Sequence, residues 1–230
     1  MNSTDNYSRT WRSHIRQLAK SALAAALPRS MFITHGPRSA RSACLTFDDG
    51  PDPEVTPRIL DTLGQEGATA VFFVVGAKAE RFPDIVRRIE AEGHMVGHHS
   101  YTHSPRSTWA VVQEARRSNE VLQSILGHSV RFYRPPRGRL RPLDFIGVWS
   151  LRQSIVLWNV DPKDFEQPSS DHLVEWFRAR PLRGGDLVLL HDDELDTALA
   201  LPSIIAEARG SALQLEALDR WTRWLPTGKP

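Results

Sequence analysis

From residue 43 onward, short apolar runs alternate with stretches in which apolar residues return every three or four positions. The runs at 43–47, 70–75, 94–98, 130–133, 154–158, 186–191 and 213–217 predict seven strands, the first of them buried. Between them the helical period predicts helices over 55–66, 79–92, 107–126, 141–152, 170–179 and 197–209. The stretch from Asp84 to Glu90 shows the pattern well, an apolar stripe stopped by Gly93. Repeated strand–helix alternation implies parallel strands joined by crossover helices, hence an α/β fold with either an open doubly wound sheet or a closed barrel.

Ahead of this region the pattern changes. Trp11, Ile15, Leu18, Ala22 and Ala25 recur at helical spacing, with Arg12, Arg16 and Lys20 in a line beside them. This basic amphipathic helix, residues 11–27, either docks on the domain or makes peripheral contact with an anionic membrane surface. Residues 28–41 read as a linker. The chain thus divides into a basic segment, 1–42, and an α/β domain, 43–230. In the tail, Trp221 and Trp224 are expected to pack on a neighbouring helix.

Composition sharpens this division. The 230 residues carry a net charge of only +2, too little to indicate a nucleic-acid partner, whereas residues 1–42 hold seven Lys/Arg against Asp5 alone. The remainder of the chain is therefore net acidic. The lone Cys44 sits in the first predicted strand, so no intramolecular disulfide is expected and its role is packing. Nothing approaches the roughly 18 consecutive apolar residues of a membrane span. The only candidate secretory core, Ser21 to Leu27, is short, rich in Ala and stopped by Pro28-Arg29. The expected location is cytoplasmic, with membrane-peripheral contact as the variant.

The chemistry-bearing residues cluster at strand ends. Thr46-Phe47-Asp48-Asp49-Gly50-Pro51 closes the first strand with two adjacent acids and a turn. After the third strand, His99 and His103 stand at i, i+4, a spacing that on one helical turn aims both imidazoles the same way. His98 competes with His99 as a ligand, but its own i+4 neighbour is Thr102. Two histidines and a carboxylate suit a divalent metal with open positions. After the fourth strand, Arg134 is followed by two prolines that would fix its angle, and a guanidinium beside Asp48 would keep that carboxylate ionised. His191 ends the sixth strand, where Asp164 could bind one ring nitrogen and set the tautomer. In a parallel α/β fold all these ends lie on one face.

Taken in order, Thr46 to Gly50, His99 to His103, Arg134-Pro135-Pro136-Arg137-Gly138, Asp161 to Phe165 and Leu189-Leu190-His191-Asp192 closely resemble the five motifs of the polysaccharide deacetylases, carbohydrate esterase family 4. The resemblance spans residues 43 to about 217 and implies a distorted (β/α)7-type barrel of parallel strands. It assigns Asp49, His99 and His103 to a divalent metal, usually zinc and sometimes cobalt or nickel. It makes Asp48 the general base, with Arg134 holding it, and His191 the general acid, tuned by Asp164. The backbone N–H of Arg137 would complete an oxyanion hole.

Two positions depart from the family pattern. Arg137 stands where an aromatic or small polar residue is common, suggesting an anionic substrate feature, and Phe165 replaces a common Trp. The expected activity is removal of the N-acetyl group from an N-acetylhexosamine of a polysaccharide, oligosaccharide or lipid-linked glycan. The rival readings are a deformylase or amidase using the same metal site, and a non-hydrolytic sugar-binding protein. Against the last, no predicted catalytic position is substituted.

Overall fold

The computed structural model describes residues 27–28, 31–104, 107–139, 141–166 and 169–221. The amphipathic segment read over 11–27 therefore lies, but for its last residue, outside the described residues, as does Trp224. Eight strands are present among them, β1 (Phe32–Ile33), β2 (Ser42–Asp48), β3 (Val71–Val74), β4 (Met95–His98), β5 (Phe132–Tyr133), β6 (Ser154–Val156), β7 (Leu187–His191) and β8 (Gln214–Leu215). All pair in parallel, in the order β1-β6-β5-β4-β3-β2-β7, with β8 beside the start of β2. The sheet curls, and the chain just after β6 reaches across to β7. There the Asn159 N–H donates to the Leu187 carbonyl at 3.1 Å and the Leu189 N–H to the Val160 carbonyl at 2.9 Å. The result is the distorted barrel of parallel strands.

Helices α1 (Val55–Gln65), α2 (Gly76–Arg81), α3 (Pro83–Ala91), α4 (Thr108–Leu126), α5 (Pro142–Ser150), α6 (Ser170–Ala179) and α7 (Leu195–Gly210) complete the described fold. Helix α1 turns Val55, Ile59, Leu60 and Leu63 inward, and Asp52 caps its start by accepting the Glu54 and Val55 N–H groups. Helix α4 begins where Ser107 accepts the Ala110 N–H and ends at Gly127, whose φ of 82° only glycine adopts freely.

The strand pleat separates two cores. On β2, Ala43, Leu45 and Phe47 point outward into the layer of helices, whereas Cys44 points into the barrel with Val71, Phe73, Phe132 and Leu187. Cys44 is fully buried, in the packing role its sequence position suggested.

Three sequence expectations need correction. The predicted helix over 79–92 is two helices broken at Phe82, because Pro83 has no N–H to give and disfavours the helical conformation of the residue before it. The stretch read as a linker contributes β1, whose Phe32 and Ile33 pair with Ile155 and Val156 of β6. Trp221 does not lie on a helix. It fills the barrel end opposite the strand C-termini, over Gly36 and among Ile33, Cys44 and Leu187, with its indole N–H on Ser42 Oγ at 3.0 Å.

Candidate active site

In the register of the sheet, Asp48 at the end of β2 lies opposite His191 at the end of β7. Thr46 and Asp48 fall on the same pleat face as Cys44, so both enter the barrel. Arg134, directly after β5, meets them there and is fully buried. Its Nη1 donates to Asp48 Oδ1 at 2.7 Å and to Thr46 Oγ1 at 2.6 Å, while Nε and Nη2 donate to the Val156 and Leu157 carbonyls. The guanidinium also lies 4.0 Å from the centre of the Phe73 ring. Its direction is set by acceptors on β2 and β6, beyond anything the two following prolines impose. Burial acts against the expectation that Arg134 simply holds Asp48 ionised: it pushes the Asp48 carboxyl up, and the guanidinium offsets only part of that.

Asp49, His99 and His103 converge one step further out. His103 Nε2 stands 3.2 Å and His99 Nε2 3.6 Å from Asp49 Oδ1, and the three donor atoms lie within 4.8 Å of one another. The convergence is not made by a helical turn. Residues 99–104 form a loop in which Ser100 and His103 adopt φ of 66° and 62°, and Ser100 Oγ accepts the His103 N–H at 3.0 Å. Asp49 has also left the strand, with φ of 74°. The two acids consequently do not point to opposite faces as strand alternation would have it: Asp48 Oδ2 and Asp49 Oδ1 each lie 3.6 Å from His99 Nε2. Among described residues other than glycine, five of the seven with positive φ, namely Asp49, Ser100, His103, Arg137 and Lys163, belong to these motifs. Strain is concentrated where the site needs its geometry.

The donor set fits a divalent ion on three grounds. Asp49 Oδ1, at the centre of the cluster, is inaccessible and has no hydrogen-bond partner, an expensive state that a cation relieves. His99 donates through Nδ1 to the Arg134 carbonyl at 2.8 Å, which leaves Nε2 as the lone-pair nitrogen facing the acids. Burial, outweighing the attraction of Asp49, lowers the His99 pKa to about 3, so the ring is neutral, as a ligand must be. The pleat turns His98 the other way, onto Gln153 at 2.7 Å, outside this cluster.

Across the site, His191 Nδ1 bonds Asp164 Oδ1 at 2.8 Å. Asp164 Oδ2 accepts the His191 backbone N–H at 2.8 Å and the Thr197 hydroxyl at 2.9 Å, so this acid is fully engaged. Desolvation pulls the imidazole pKa down, but the bond to Asp164 and its charge, helped by Asp48 and Asp49, raise it to about 9. Phe165 stands edge-on to His191 at 5.1 Å between centroids and remains partly exposed, an apolar wall beside the free ring nitrogen. Arg137 sits exposed on the 3-10 turn Pro136–Gly138, at the rim after β5.

Asp192 has a part that its place in an acid run, His191-Asp192-Asp193-Glu194, did not single out. Buried beneath the first motif, it accepts the Gly50 N–H at 2.8 Å and the Thr56 hydroxyl at 2.6 Å, and burial pushes its carboxyl up to about 7. A Cβ on Gly50 would lie 2.0 Å from Asp192 Oδ2, so the turn that carries Asp49 accepts only glycine there. That clash was the one local signal available, and it needs coordinates to see.

Known proteins are similar to this chain in sequence and in fold. Residues 35–143 match the family of polysaccharide deacetylases. A peptidoglycan-N-acetylglucosamine deacetylase of Bacillus cereus is 42% identical over 145 residues, an alignment covering 60% of this chain and 52% of that protein, about half its length. A chitooligosaccharide deacetylase of Rhizobium leguminosarum bv. trifolii is 35% identical over 164 residues, covering 66% of this chain and 72% of the relative. Among solved structures, a peptidoglycan N-acetylglucosamine deacetylase complexed with 4-naphthalen-1-yl-N-oxidanyl-benzamide superposes with a TM-score of 0.78 at 31% identity, covering 83% of this chain and 92% of that one. With its five motifs converging at one end of a parallel barrel, the chain belongs to the polysaccharide deacetylase family of carbohydrate esterases.

Proposed function

We propose that this protein is a metal-dependent N-deacetylase that hydrolyses the acetamido group of an N-acetylglucosamine unit in a polysaccharide, oligosaccharide or lipid-linked glycan, releasing acetate and a free amino sugar. The observation that carries the proposal is the division of labour between two acids on one histidine. Asp48 and Asp49 both approach His99, yet only Asp48 is also tied to a guanidinium.

Asp49, His99 and His103 would hold the ion; zinc suits two imidazoles with one carboxylate, and cobalt or nickel would be the alternatives. When bound, such an ion polarises the amide carbonyl and makes water acidic enough for a weak base to deprotonate. Asp48 is that base: Arg134 occupies Oδ1, which leaves Oδ2 to take the proton. The Arg137 backbone N–H donates to the developing oxyanion. His191, whose Nδ1 is committed to Asp164, gives its Nε2 proton to the leaving nitrogen as the carbon–nitrogen bond breaks. Phe165 offers a wall for the acetyl methyl or a sugar face.

The test is acetate release from chitooligosaccharides, peptidoglycan fragments and lipid-linked glycans. It is run on protein stripped by chelator and on the same protein reloaded with zinc or cobalt. Release should vanish on stripping and return on reloading. Full activity without metal would sink the scheme. Tight sugar binding with no release from any substrate would favour the binding-protein reading, and formate release in place of acetate the deformylase reading.

A further inference from the structure

Helices α4 and α5 follow the C-terminal ends of β4 and β5, so their first turns belong to the rim around the site. Three of the exposed large apolar side chains among the described residues lie there. Trp109, in the first turn of α4, is 73% exposed, and Leu143 and Ile146, three apart on one side of α5, are 65% and 63% exposed. The helices touch at this level: a Cβ on Gly147 of α5 would lie 2.3 Å from Val112, one turn beyond Trp109.

Single exposed apolar side chains are ordinary; their company here is not. The connection from β5 into α5 presents Arg137, Arg139 and Arg141, all exposed and none in an ion pair with a described residue. The one acid in the stretch, Asp144, is turned inward and accepts the Arg141 backbone N–H at 2.7 Å. The rim therefore shows water three guanidinium groups, an indole and two aliphatic side chains, with no compensating carboxylate on that stretch.

We propose that this rim docks the mouth of the catalytic site onto an anionic lipid bilayer. Arginines are drawn to the lipid phosphates while Trp109, Leu143 and Ile146 enter the boundary between headgroups and acyl chains. An anionic glycan would satisfy the arginines and could stack on Trp109, but it gives Leu143 and Ile146 nothing to bury against; a bilayer engages all six side chains. No helix among the described residues is long and apolar enough to cross a membrane, so the contact is that of a face lying on the surface. The lead segment is a poor cover for the rim, because Arg9, Arg12, Arg16 and Lys20 repeat its charge, whereas both are drawn to the same anionic surface. Docking is independent of the proposed hydrolysis and is read without turnover.

The experiment is co-sedimentation of the full-length protein with phosphatidylcholine vesicles, with and without phosphatidylglycerol. The wild type should sediment with the anionic vesicles alone, and raised salt should weaken it. Leu143→Ser with Ile146→Ser should lower the partition coefficient about tenfold or more. Arg139→Gln with Arg141→Gln should lower it about fivefold for each arginine. Both double variants should keep the wild-type circular dichroism and its rate on a soluble chitooligosaccharide. Failure of the wild type to bind anionic vesicles overturns the proposal. So does undiminished binding by the Leu143/Ile146 variant, which would move the contact to the basic lead segment. Binding of soluble alginate, lost in both variants, with no vesicle binding would assign the rim to an acidic glycan instead.

Discussion

Two carboxylate–cation pairs face each other across the site, alike in geometry and unlike in surroundings. Asp48 and Arg134 meet at 2.7 Å with side chains 3% and 0% exposed; Asp164 and His191 meet at 2.8 Å, the acid sealed and the imidazole 12% exposed. In the first pair burial wins, raising the Asp48 carboxyl and lowering the guanidinium, each toward its neutral form. In the second the attraction wins, and His191 rises to about 9 despite desolvation. The difference is what the proposed mechanism asks of its base and its acid. A sealed carboxylate pushed upward is a better proton acceptor than an exposed one, and an imidazole pushed upward arrives at neutral pH already carrying the proton it must give.

The comparison breaks most completely at Asp48. Asp48→Asn keeps the shape and a hydrogen bond to Arg134, so bound zinc per chain should be unchanged while acetate release falls by about 10³ or more. His99→Ala should lose metal and activity together; if the two variants lose metal equally, Asp48 is a ligand and the base lies elsewhere. Next in size is Arg134→Met, which strands a carboxylate inside the barrel. Urea unfolding should show a loss of about 3–5 kcal/mol, the usual consequence of removing one partner of a buried pair.

Much of this was legible beforehand because the strands are buried on both faces and so read as short unbroken apolar runs with turn residues between them. Beside the placement of Trp221, two features of the fold escaped. A strand of two residues, Phe32–Ile33, is too short to show a period, and the break at Phe82 was overridden by the apolar stripe on both sides of Pro83. At the site, residue identities were readable and backbone was not. His99 and His103 carry helical spacing but meet through a loop with positive φ, a conformation that Ser and His do not advertise. Arg134 could be chosen from its motif, yet its complete burial ran against the habit of arginine, and with it the upward push on Asp48.

The second pair should yield more gently. Asp164→Asn retains a hydrogen-bonding side chain beside His191 but removes its charge. The His191 pKa should fall from about 9 toward the ordinary 6.5, and acetate release at pH 8 by about ten- to a hundredfold. The same shift links to stability. Because the folded state binds this proton more tightly than the unfolded chain, the contribution is complete below pH 6.5 and is lost as pH rises through about 9. At about 1.4 kcal/mol per unit it amounts to about 3 kcal/mol at most. Denaturant titrations on either side of this window should show the decline in the wild type and a much flatter profile in Asp164→Asn. Zinc, by neutralising Asp49, should lower the His191 pKa, which an NMR titration of the ring with and without metal would register.

The smallest expected effect separates the charge of Asp164 from its fixation. Thr197 is fully buried and gives Asp164 Oδ2 one of its two donors, the other being the His191 backbone N–H. Thr197→Val keeps the volume and deletes that hydroxyl, so the carboxylate keeps its bond through Oδ1 to the imidazole and one donor on Oδ2. Stability should drop by about 1–2 kcal/mol, the range for a buried hydrogen bond to a charged group, while acetate release changes by less than about threefold. A rate loss as deep as that of Asp164→Asn would mean that the acid pair is really a triad, with Thr197 setting the angle at which Asp164 meets the ring. The contrast with Asp48, which rests on a single guanidinium, would then lie in the number of supports as much as in access to water.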